Sequence, residues 1–379
     1  MDITQLRENI NALDDKLREL FLERMELSQK VSLYKKENNL PVLDKGRERE
    51  ILYRLTENAD PEQQKYIKTL FSTLFSLSRS YQNTVLAGGS PLAEKIKRAV
   101  ADTPAQFPQR AVVACQGVEG AYSQIAADKL FSLPNIMYFN TFEGVFRAVE
   151  KGLCAYGILP IENSSHGSVT QVYDLMKRHD FHIVRSLKLK IDHSLLVKPG
   201  CKAEDVREIF SHEQAIGQCE NFLMNLKNVK VTVVENTAAA AQTVAQSDRN
   251  DVAAISSRDC AELYGLQEAK SDIQDRANNF TRFICISQKL EIYPGADKIS
   301  LMLSLPHRPG SLYETISKFS VLGLNLTKLE SRPVPDKNFE FMFYFDIDAS
   351  VASEPVVGLL CDLAAGSEQF DFLGNYAES

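Results

Sequence analysis

Apolar side chains recur at alternating steps of three and four residues along the first 35 residues of the chain. The series consists of Ile3, Leu6, Ile10, Leu13, Leu17, Leu20, Leu27, Val31 and Tyr34. Its one missing member falls at Arg24. A strict three-four spacing predicts a long helix that packs against other helices. A guanidinium in that stripe must either lose its hydration, which is costly, or face an anion. The pattern therefore predicts a helical bundle that contains an anion site.

Two shorter helices are predicted after the first, which runs over roughly residues 2–37 and is ~50 Å long. Asp44 is a candidate N-cap for a second helix over roughly 45–58. Pro61 begins a third helix that reaches about residue 86. Two shorter helices cannot cover a rod of this length. A second copy of the first helix would bury the remainder, so we expect an obligate dimer through this region.

The polar residues of these helices have a spacing that suits a small dianion. Arg24 and Lys35 are 11 residues apart, hence on nearly the same face and ~16 Å apart. Arg7 lies ~25 Å from Arg24 along the axis, too far to share the same ligand. In an antiparallel dimer, however, Arg7 would reach the site of the neighbouring subunit. Ser78 and Gln82 interrupt the apolar stripe of the third helix.

Eight polar residues match in type and spacing the active-site residues of the helical chorismate mutases, which this region resembles. They are Arg7, Arg24, Lys35, Asp44, Arg47, Glu48, Ser78 and Gln82. That family rearranges chorismate to prephenate without a nucleophile or a proton transfer, so the protein selects the compact conformer and stabilises charge on the ether oxygen. The resemblance implies that Arg24 and Arg7 of the partner subunit hold the two carboxylates. Lys35 and Gln82 would donate to the ether oxygen, and Glu48 would accept from the ring hydroxyl.

The alternative for this region is a coiled-coil dimerisation arm with solvated surface charges. Arg24 and Gln82 weigh against it, because both lie on apolar stripes. The joint pattern favours the mutase, in which Asp44, Arg47 and Ser78 complete the site.

The helical region is predicted over residues 1–88, and a linker rich in Ala, Gly and Pro, with room for a short helix, is predicted over 89–108. Alternating strands and helices follow over 109–289, with strand-like runs at 111–115, 155–163, 182–189, 194–198, 208–211, 230–235, 251–256 and 281–287. Two strand-like runs within 182–198 have no helix between them. This predicts a chain that crosses between two lobes, with a ligand in the cleft. Several strand ends are followed by residues that open a helix, for example Asn236-Thr237, and such ends favour anions.

Four motifs of this region occur in the order and spacing of the prephenate dehydratases, which it resembles. They are GVEGAYS (117–123), PIENS (160–164), SHEQ (211–214) and NFTRF (279–283). The resemblance implies a two-lobed α/β domain like the periplasmic binding proteins, which converts prephenate to phenylpyruvate with loss of CO2 and water. The chemistry needs a proton donor near the ring hydroxyl and cover for two carboxylates.

The same resemblance implies that Thr281 is the main catalytic residue. The residues expected to line its site are Glu162, Asn163, Ser164 and Gln214. For Arg282 two roles stay open, structure or carboxylate binding. The plainer alternatives are a carboxylate that caps the next helix for Glu162 and ordinary β propensity for Thr281.

The last region, residues 297–376, is predicted to have the βαββαβ order of a ferredoxin-like α+β domain. Two motifs, RPGSL (308–312) and ESRP (330–333), resemble those of ACT domains, which sense amino acids. The resemblance implies an L-phenylalanine site formed by Gly310, Ser311, Leu312, Glu330, Ser331 and Arg332. Gly310 would let the ligand approach the backbone, and Glu330 would meet its ammonium group. The alternative is a domain that only dimerises.

Composition excludes several classes of function. The net charge of −7 argues against a nucleic-acid or membrane-surface binder. No apolar run reaches the ~20 residues needed to cross a bilayer, and the beginning of the chain does not read as a signal peptide. Seven scattered cysteines without a CxxC indicate reduced thiols and a cytoplasmic protein. No metal-ligand spacing is found, so we expect neither a metal nor another cofactor.

Together the resemblances imply a multidomain, bifunctional enzyme of phenylalanine biosynthesis, an isomerase and a lyase, under feedback inhibition by L-phenylalanine. Its partners would be chorismate, prephenate, the effector and further copies of the chain, as a dimer or tetramer. Two alternatives remain. One is a dehydratase that prefers arogenate, and the other is a non-catalytic small-molecule sensor with a helical dimerisation arm. The sensor is disfavoured by the joint presence of Glu162, Gln214 and Thr281.

Overall fold

A computed structural model of the protein describes residues 2–38, 40, 42–86, 90–226, 228–334 and 340–379. The chain forms two compact units. The first contains Met1–Ala101 and Ile299–Phe372, and the second contains Asp102–Lys298 and Leu373–Ser379. The boundary predicted at 88/89 lies outside the described residues. Within the described ranges, no helix is both long enough and apolar enough to span a bilayer.

Four helices begin the first unit: α1 (Ile3–Glu37), α2 (Lys45–Thr56), α3 (Pro61–Leu86) and α4 (Pro91–Asp102). The three helices predicted from the apolar spacing are present. Asp44 is the N-cap of α2, because its Oδ1 accepts a hydrogen bond from the backbone N–H of Arg47 at 2.9 Å. The helix α4 lies in the predicted linker, where the sequence left room for a short helix.

The apolar stripe of α1 is not covered by its own chain. Its nine apolar members are between 41 and 62% exposed, and Ser32 is the one residue of this fully described helix that is buried. The burial of Ser32 and Ser78 marks the side on which α1 and α3 pack. A ~50 Å row of leucines and isoleucines in water is an unfavourable arrangement for a single chain.

The second unit begins with a sheet whose strand order is β2-β1-β3-β11-β5, with β4 paired to β3. Its elements are β1 (Arg110–Gln116), α5 (Tyr122–Leu130), β2 (Leu133–Phe139), α6 (Phe142–Glu150), β3 (Tyr156–Asn163), β4 (Gly167–Ser168), α7 (Thr170–Met176), β5 (His182–Lys190) and, much later in the chain, β11 (Phe280–Ser287). The strand β11 runs antiparallel to both β3 and β5. It is buried on both faces, including its polar residues Thr281 and Arg282.

A second sheet, of strand order β10-β6-β9-β7-β8, forms the other lobe of this unit. Its elements are β6 (Ser194–Val197), β7 (Glu208–Ser211), α8 (Glu213–Gln218), α9 (Glu220–Met224), β8 (Lys230–Val233), α10 (Thr237–Gln246), β9 (Val252–Ser256), α11 (Asp259–Tyr264) and β10 (Gln267–Lys270). The chain passes between the lobes twice, from β5 to β6 and from β10 to β11. The predicted two-lobed α/β fold, with a direct crossing inside 182–198, is confirmed.

The C-terminal region has the order β12 (Lys298–Ser304), α12 (Ser311–Val321), β13 (Asn325–Pro333), β14 (Phe341–Asp348), α13 (Glu354–Gly366) and β15 (Phe370–Tyr376). Its sheet order is β13-β14-β12-β15, the ferredoxin-like arrangement expected from the βαββαβ pattern. The sequence predicts the third strand of this pattern over 339–347; β14 begins at Phe341, and position 339 lies outside the described residues.

One buried carboxylate joins three helices of the first unit. Asp362 on α13 accepts a hydrogen bond at Oδ1 from Nδ2 of Asn83 on α3. Its Oδ2 lies 2.7 Å from Nζ of Lys318 on α12. Because a buried carboxylate needs such partners, this pair and the amide fix how α3 meets the helices of the C-terminal sheet.

Candidate active sites

The arginine that interrupts the apolar stripe of α1 faces α3. Arg24 Nη1 donates to Oγ of Ser78 and to the carbonyl oxygen of Leu74 at 3.4 Å, and its Cζ lies 5.7 Å from the ring centroid of Phe75. Burial lowers the pKa of Arg24, while the charge of Glu48 opposes that shift. A guanidinium starts from so high a pKa that it stays charged. The α1–α3 contact therefore holds a positive charge.

Two polar residues of α3 are buried beside this charge. Ser78 and Gln82 are only 5 and 6% exposed and lie one helical turn apart. Ser28 on α1 donates to the hydroxyl of Ser78 at 3.3 Å. Gln82 Oε1 has no hydrogen-bond partner among the described residues. A buried amide atom without a partner costs roughly 1–3 kcal/mol, so this position favours a ligand that satisfies it.

The other predicted residues of the helical site are placed as follows. Lys35 Nζ donates to the carbonyl oxygen of Val42. Glu48 forms an ion pair with Arg79, a residue that the sequence argument did not single out. The exposed Arg47 pairs with a neighbouring carboxylate on its own helix. Arg7 lies 17 residues before Arg24 on α1, ~25 Å away, so one chain does not bring them together.

A cavity of about 310 Å³ lies between the two lobes of the second unit. Its lining includes Tyr122, Ser123, Asn163, Gln171, His193, His212, Gln214, Gln218, Glu235, Asn236, Thr237 and Thr281. The first lobe contributes Thr281 from β11 and Asn163 from the end of β3, which stand opposite each other in the strand register. The structure thus brings three predicted site residues together: Thr281, Asn163 and Gln214.

The hydroxyl of Thr281 has a defined orientation. Asn163 Nδ2 donates to Thr281 Oγ1 at 2.9 Å, and the threonine is 9% exposed. No acceptor for the threonine's own proton is found among the described residues. Since one lone pair of the oxygen is engaged by the amide, the O–H is left to donate to a molecule in the cavity.

A chain of amides extends from Asn163 into the second lobe. Asn163 Nδ2 also lies 2.9 Å from Oδ1 of Asn279, whose Nδ2 donates to Gln218 Oε1 at 2.9 Å. Gln218 Oε1 in turn accepts from His193 Nε2 at 2.7 Å. Gln218 and His193 were not predicted as site residues. The network links both lobes, so the orientation of Thr281 depends on both.

His193 is held in its neutral form. It is 2% exposed, and burial lowers its pKa, although the hydrogen bond to Gln218 and the charge of Asp192 oppose this shift. Because Nε2 donates to Gln218, the proton of the neutral ring resides there. His193 therefore supplies the network with a donor and no charge.

Helix N-termini give the cavity a positive potential that favours anions. The lining contains the first residues of α5 and α10, and among the described lining residues there is no Lys or Arg. Asn236 caps α10 by accepting from the N–H of Ala239 at 2.8 Å. The N-cap of α5 is Ala121, which offers no side-chain acceptor, so first-turn N–H groups of α5 remain for an anion.

Three other predicted residues are not among the described residues that line the cavity: Glu162, Ser164 and Arg282. Glu162 stands opposite Arg282 in the register between β3 and β11, one position away from the Asn163–Thr281 pair. Ser164 Oγ accepts from the N–H of Phe280 at 2.9 Å and donates to the carbonyl oxygen of Asn278 at 3.2 Å. It thereby anchors the loop that enters β11.

The predicted effector residues lie on α12 and β13. Gly310 precedes α12 with φ of 88°, a left-handed conformation that favours glycine. Ser311 and Leu312 open that helix, and Ser311 Oγ is buried without a hydrogen-bond partner among the described residues. Glu330, Ser331 and Arg332 follow one another on β13 and so alternate in direction.

Comparison with known proteins assigns the helical region and the two-lobed region to two families. A family model described as chorismate mutase type II matches residues 6–83, and one described as prephenate dehydratase matches residues 113–291. A bifunctional chorismate mutase/prephenate dehydratase of Escherichia coli (strain K12) is 32% identical, over 98% of this chain and 95% of that protein. The arogenate dehydratase/prephenate dehydratase 2 of Arabidopsis thaliana is 39% identical, over 70% of this chain and 73% of that protein.

A solved structure of a prephenate dehydratase is also similar to this chain in its fold. The prephenate dehydratase of Arthrobacter aurescens, in complex with L-Phe, has a TM-score of 0.65 and 28% identity, over 70% of this chain and 89% of that chain. The chain is thus a multidomain enzyme with a helical mutase region and a two-lobed dehydratase region. It belongs to the family of bifunctional chorismate mutase/prephenate dehydratases.

Proposed function

We propose that the two reactions occur at two separate sites, the rearrangement of chorismate at Arg24 and the dehydration of prephenate at Thr281. The observation that carries the second assignment is the hydrogen bond from Asn163 to Thr281, which leaves the threonine proton free within a cavity of about 310 Å³. A cavity of this size suits a small organic dianion.

At the dehydratase site Thr281 acts as the proton donor. As the ring carboxylate leaves as CO2, the electrons of its C–C bond form a ring double bond, and the ring hydroxyl departs with the threonine proton as water. Solvent returns a proton to Thr281 afterwards. Aromatisation drives the reaction, so a weak acid in the right position suffices. Asn163 fixes the direction of the O–H.

The carboxylates of the substrate are held by dipoles rather than by cations. The first turn of α5 supplies N–H groups and the hydroxyl of Ser123, and the start of α10 supplies Thr237. Each helix N-terminus stabilises a negative charge by about 0.3–1 kcal/mol, and more where water is excluded. Gln214, at the start of α8, also lines the cavity.

At the mutase site Arg24 binds one carboxylate and Gln82 meets the ether oxygen. We propose that a second copy of α1 covers the exposed stripe, as an antiparallel homodimer, and that Arg7 of the partner subunit binds the other carboxylate. The support is the uncovered row of nine apolar side chains and the ~25 Å between Arg7 and Arg24 in one chain. Lys35, Glu48, Asp44, Arg47 and Ser78 keep the roles that the resemblance implies.

We further propose that the C-terminal region is an ACT domain and that L-phenylalanine inhibits the enzyme there. The Arthrobacter aurescens relative was solved with L-Phe. In this chain the left-handed Gly310 and the unpartnered hydroxyl of Ser311 open α12. Such an effect requires that phenylalanine bind two states with different affinity.

The buried, free thiols support a cytoplasmic location.

A second substrate deserves a direct comparison. The Arabidopsis relative is described as an arogenate dehydratase as well as a prephenate dehydratase. Glu235 is the one acidic residue among the described residues that line the cavity, and a carboxylate there suits the ammonium group of arogenate. Measuring kcat/KM for prephenate and arogenate on wild type and Glu235→Gln decides between them. A preference for prephenate that Glu235→Gln leaves unchanged excludes the arogenate proposal.

The function as a whole is tested by incubating the purified protein with chorismate and following prephenate and phenylpyruvate, with and without L-phenylalanine. Both products are expected, and the second is expected to fall when phenylalanine is present. Tight binding of either compound without turnover would contradict the proposal and favour a sensor.

A further inference from the structure

Arg282 follows the proposed proton donor on β11 and is a buried cation with two partners among residues 376–378. Its Nη2 donates to the hydroxyl of Tyr376 at 2.9 Å, and its Nε lies 2.6 Å from Oε2 of Glu378. The side chains of Arg282 and Glu378 are only 9 and 15% exposed. All three residues belong to the second compact unit. A buried arginine in this environment needs its carboxylate, because an unpaired buried charge is strongly unfavourable.

Glu378 is itself the centre of a charge cluster. Besides Arg282, it meets Lys188 Nζ at 2.8 Å and Lys298 Nζ at 3.8 Å, and it accepts from Ser186 Oγ at 3.2 Å. Burial by itself raises the pKa of Glu378, but the hydrogen bond with Lys188 and the charges of Arg282 and Lys298 bring it below its ordinary value. The carboxylate is therefore ionised at neutral pH.

The backbone of residues 374–379 is also fixed, by hydrogen bonds to β5 and by a close approach to it. Ser186 N–H donates to the carbonyl oxygen of Ala377 at 3.1 Å, and Ser379 N–H donates back to that of Ser186 at 3.0 Å. A Cβ on Gly374 would lie 2.1 Å from the carbonyl oxygen of Ile183, so only glycine fits this approach. The segment 377–379 thus extends the first sheet beyond β5, the strand next to β11.

We propose that Glu378 and Tyr376 are positioning residues for the dehydratase reaction, which act by holding Arg282 and with it the neighbouring Thr281. Successive residues of a strand point to opposite faces, so the pairing of Arg282 on one face sets where Thr281 lies on the other. The inference rests on the proposed role of Thr281. The competing role for Arg282 is a direct contact with a substrate carboxylate.

The test measures kcat and KM for prephenate, together with mutase activity, on Glu378→Gln, Tyr376→Phe, Arg282→Gln and the double variant Arg282→Gln/Glu378→Gln. Glu368→Gln, an exposed glutamate before β15, is the matched control. Because a small misplacement of a reacting group costs up to roughly 100-fold in rate, Glu378→Gln is expected to lower kcat about tenfold with little change in KM. The double variant should be no worse than the poorer single one. Glu378→Asp, which keeps the charge, should recover part of the rate.

Three results separate the possibilities. Unchanged kcat in Glu378→Gln, with Thr281→Ala inactive, overturns this inference and leaves the proposed function intact. A large rise in KM confined to Arg282→Gln overturns it by assigning Arg282 to substrate binding. Full activity in Thr281→Ala instead overturns the proposed function. If Glu378→Gln fails to fold, Tyr376→Phe keeps both charges and carries the same test, with a smaller expected loss of kcat.

Discussion

Asn163 donates a hydrogen bond of 2.9 Å to Oγ1 of Thr281, across the pairing of β3 with β11. This one contact decides which way the threonine proton points. Both residues were expected in the site, and the strand register brings them together. The direction of their bond follows from the loop after β3, because Oδ1 of Asn163 accepts from the N–H groups of Ser165 and His166 and so leaves Nδ2 to donate to Thr281. In the proposed function, this bond directs the proton of Thr281, a residue type common in β-strands, toward the substrate.

The substitution Asn163→Asp should reverse that bond. A carboxylate accepts rather than donates, so the threonine proton would turn toward the new side chain and away from the substrate. We therefore expect the dehydratase kcat to fall about 100-fold or more, while mutase activity stays at the wild-type level. Asn135→Asp, at an exposed position on β2, is the matched control. A wild-type kcat in Asn163→Asp would show that the amide does not orient Thr281.

A charge on the stripe of α1 should separate the proposed dimer. Leu17→Glu places a carboxylate in the row of exposed apolar residues, and we expect a lower oligomeric state in analytical ultracentrifugation and loss of mutase activity. Leu22→Glu is the control, because Leu22 is similarly exposed but lies off the stripe. If Leu17→Glu keeps both the oligomeric state and the mutase rate, this face is not the interface.

Asp362 is expected to stabilise the first unit. Asp362→Ala leaves Lys318 and Asn83 without their acceptor. Breaking a buried pair costs roughly 3–5 kcal/mol, which for a unit of this size lowers Tm by about 6 °C or more. Differential scanning calorimetry measures the shift, with the exposed Glu368→Gln as reference. An unchanged Tm would mean that the pair contributes little.

Because His193 is buried, we expect the free energy of unfolding to depend on pH in a specific way. Burial lowers its pKa in the folded protein, so below the ordinary value of about 6.5 the unfolded chain binds a proton that the folded chain does not. Its contribution is therefore present above that pH and is lost as pH falls, by at most about 1.4 kcal/mol per pH unit. Denaturant unfolding of wild type and His193→Asn at about pH 7.5 and about pH 5.5, on either side of that value, checks this. The wild type should lose more stability than the variant, and an equal loss would contradict the assignment.

Much of the fold could be predicted because its signals are local. The three-four spacing defined α1, and the apolar runs defined β3, β5 and β11 within a residue or two at most ends. The strands β2, β4 and β10 were not predicted, because they are short or half-exposed edge strands with weak patterns. The strand β10 pairs with β6, which is distant in the sequence, whereas β4 pairs with the adjacent β3 through a short turn.

The site was predictable only where a motif marks it. Thr281, Asn163 and Gln214 belong to such motifs and line one cavity. Gln218 and His193 carry no local signal, since an amide and a histidine acquire their role when the two lobes meet. The same holds for the pairing of Arg282 with Glu378, which are 96 positions apart in the chain. Sequence spacing alone does not reveal such a contact.

The separation of the two sites is tested most directly with Arg24→Ala and Thr281→Ala, assayed singly and as a mixture with chorismate as substrate. Arg24→Ala alone should make no prephenate yet dehydrate added prephenate at the wild-type rate. Thr281→Ala alone should accumulate prephenate, and the mixture should form phenylpyruvate, because prephenate released by one variant is used by the other. If either folded variant loses both activities, the account of two independent sites is wrong.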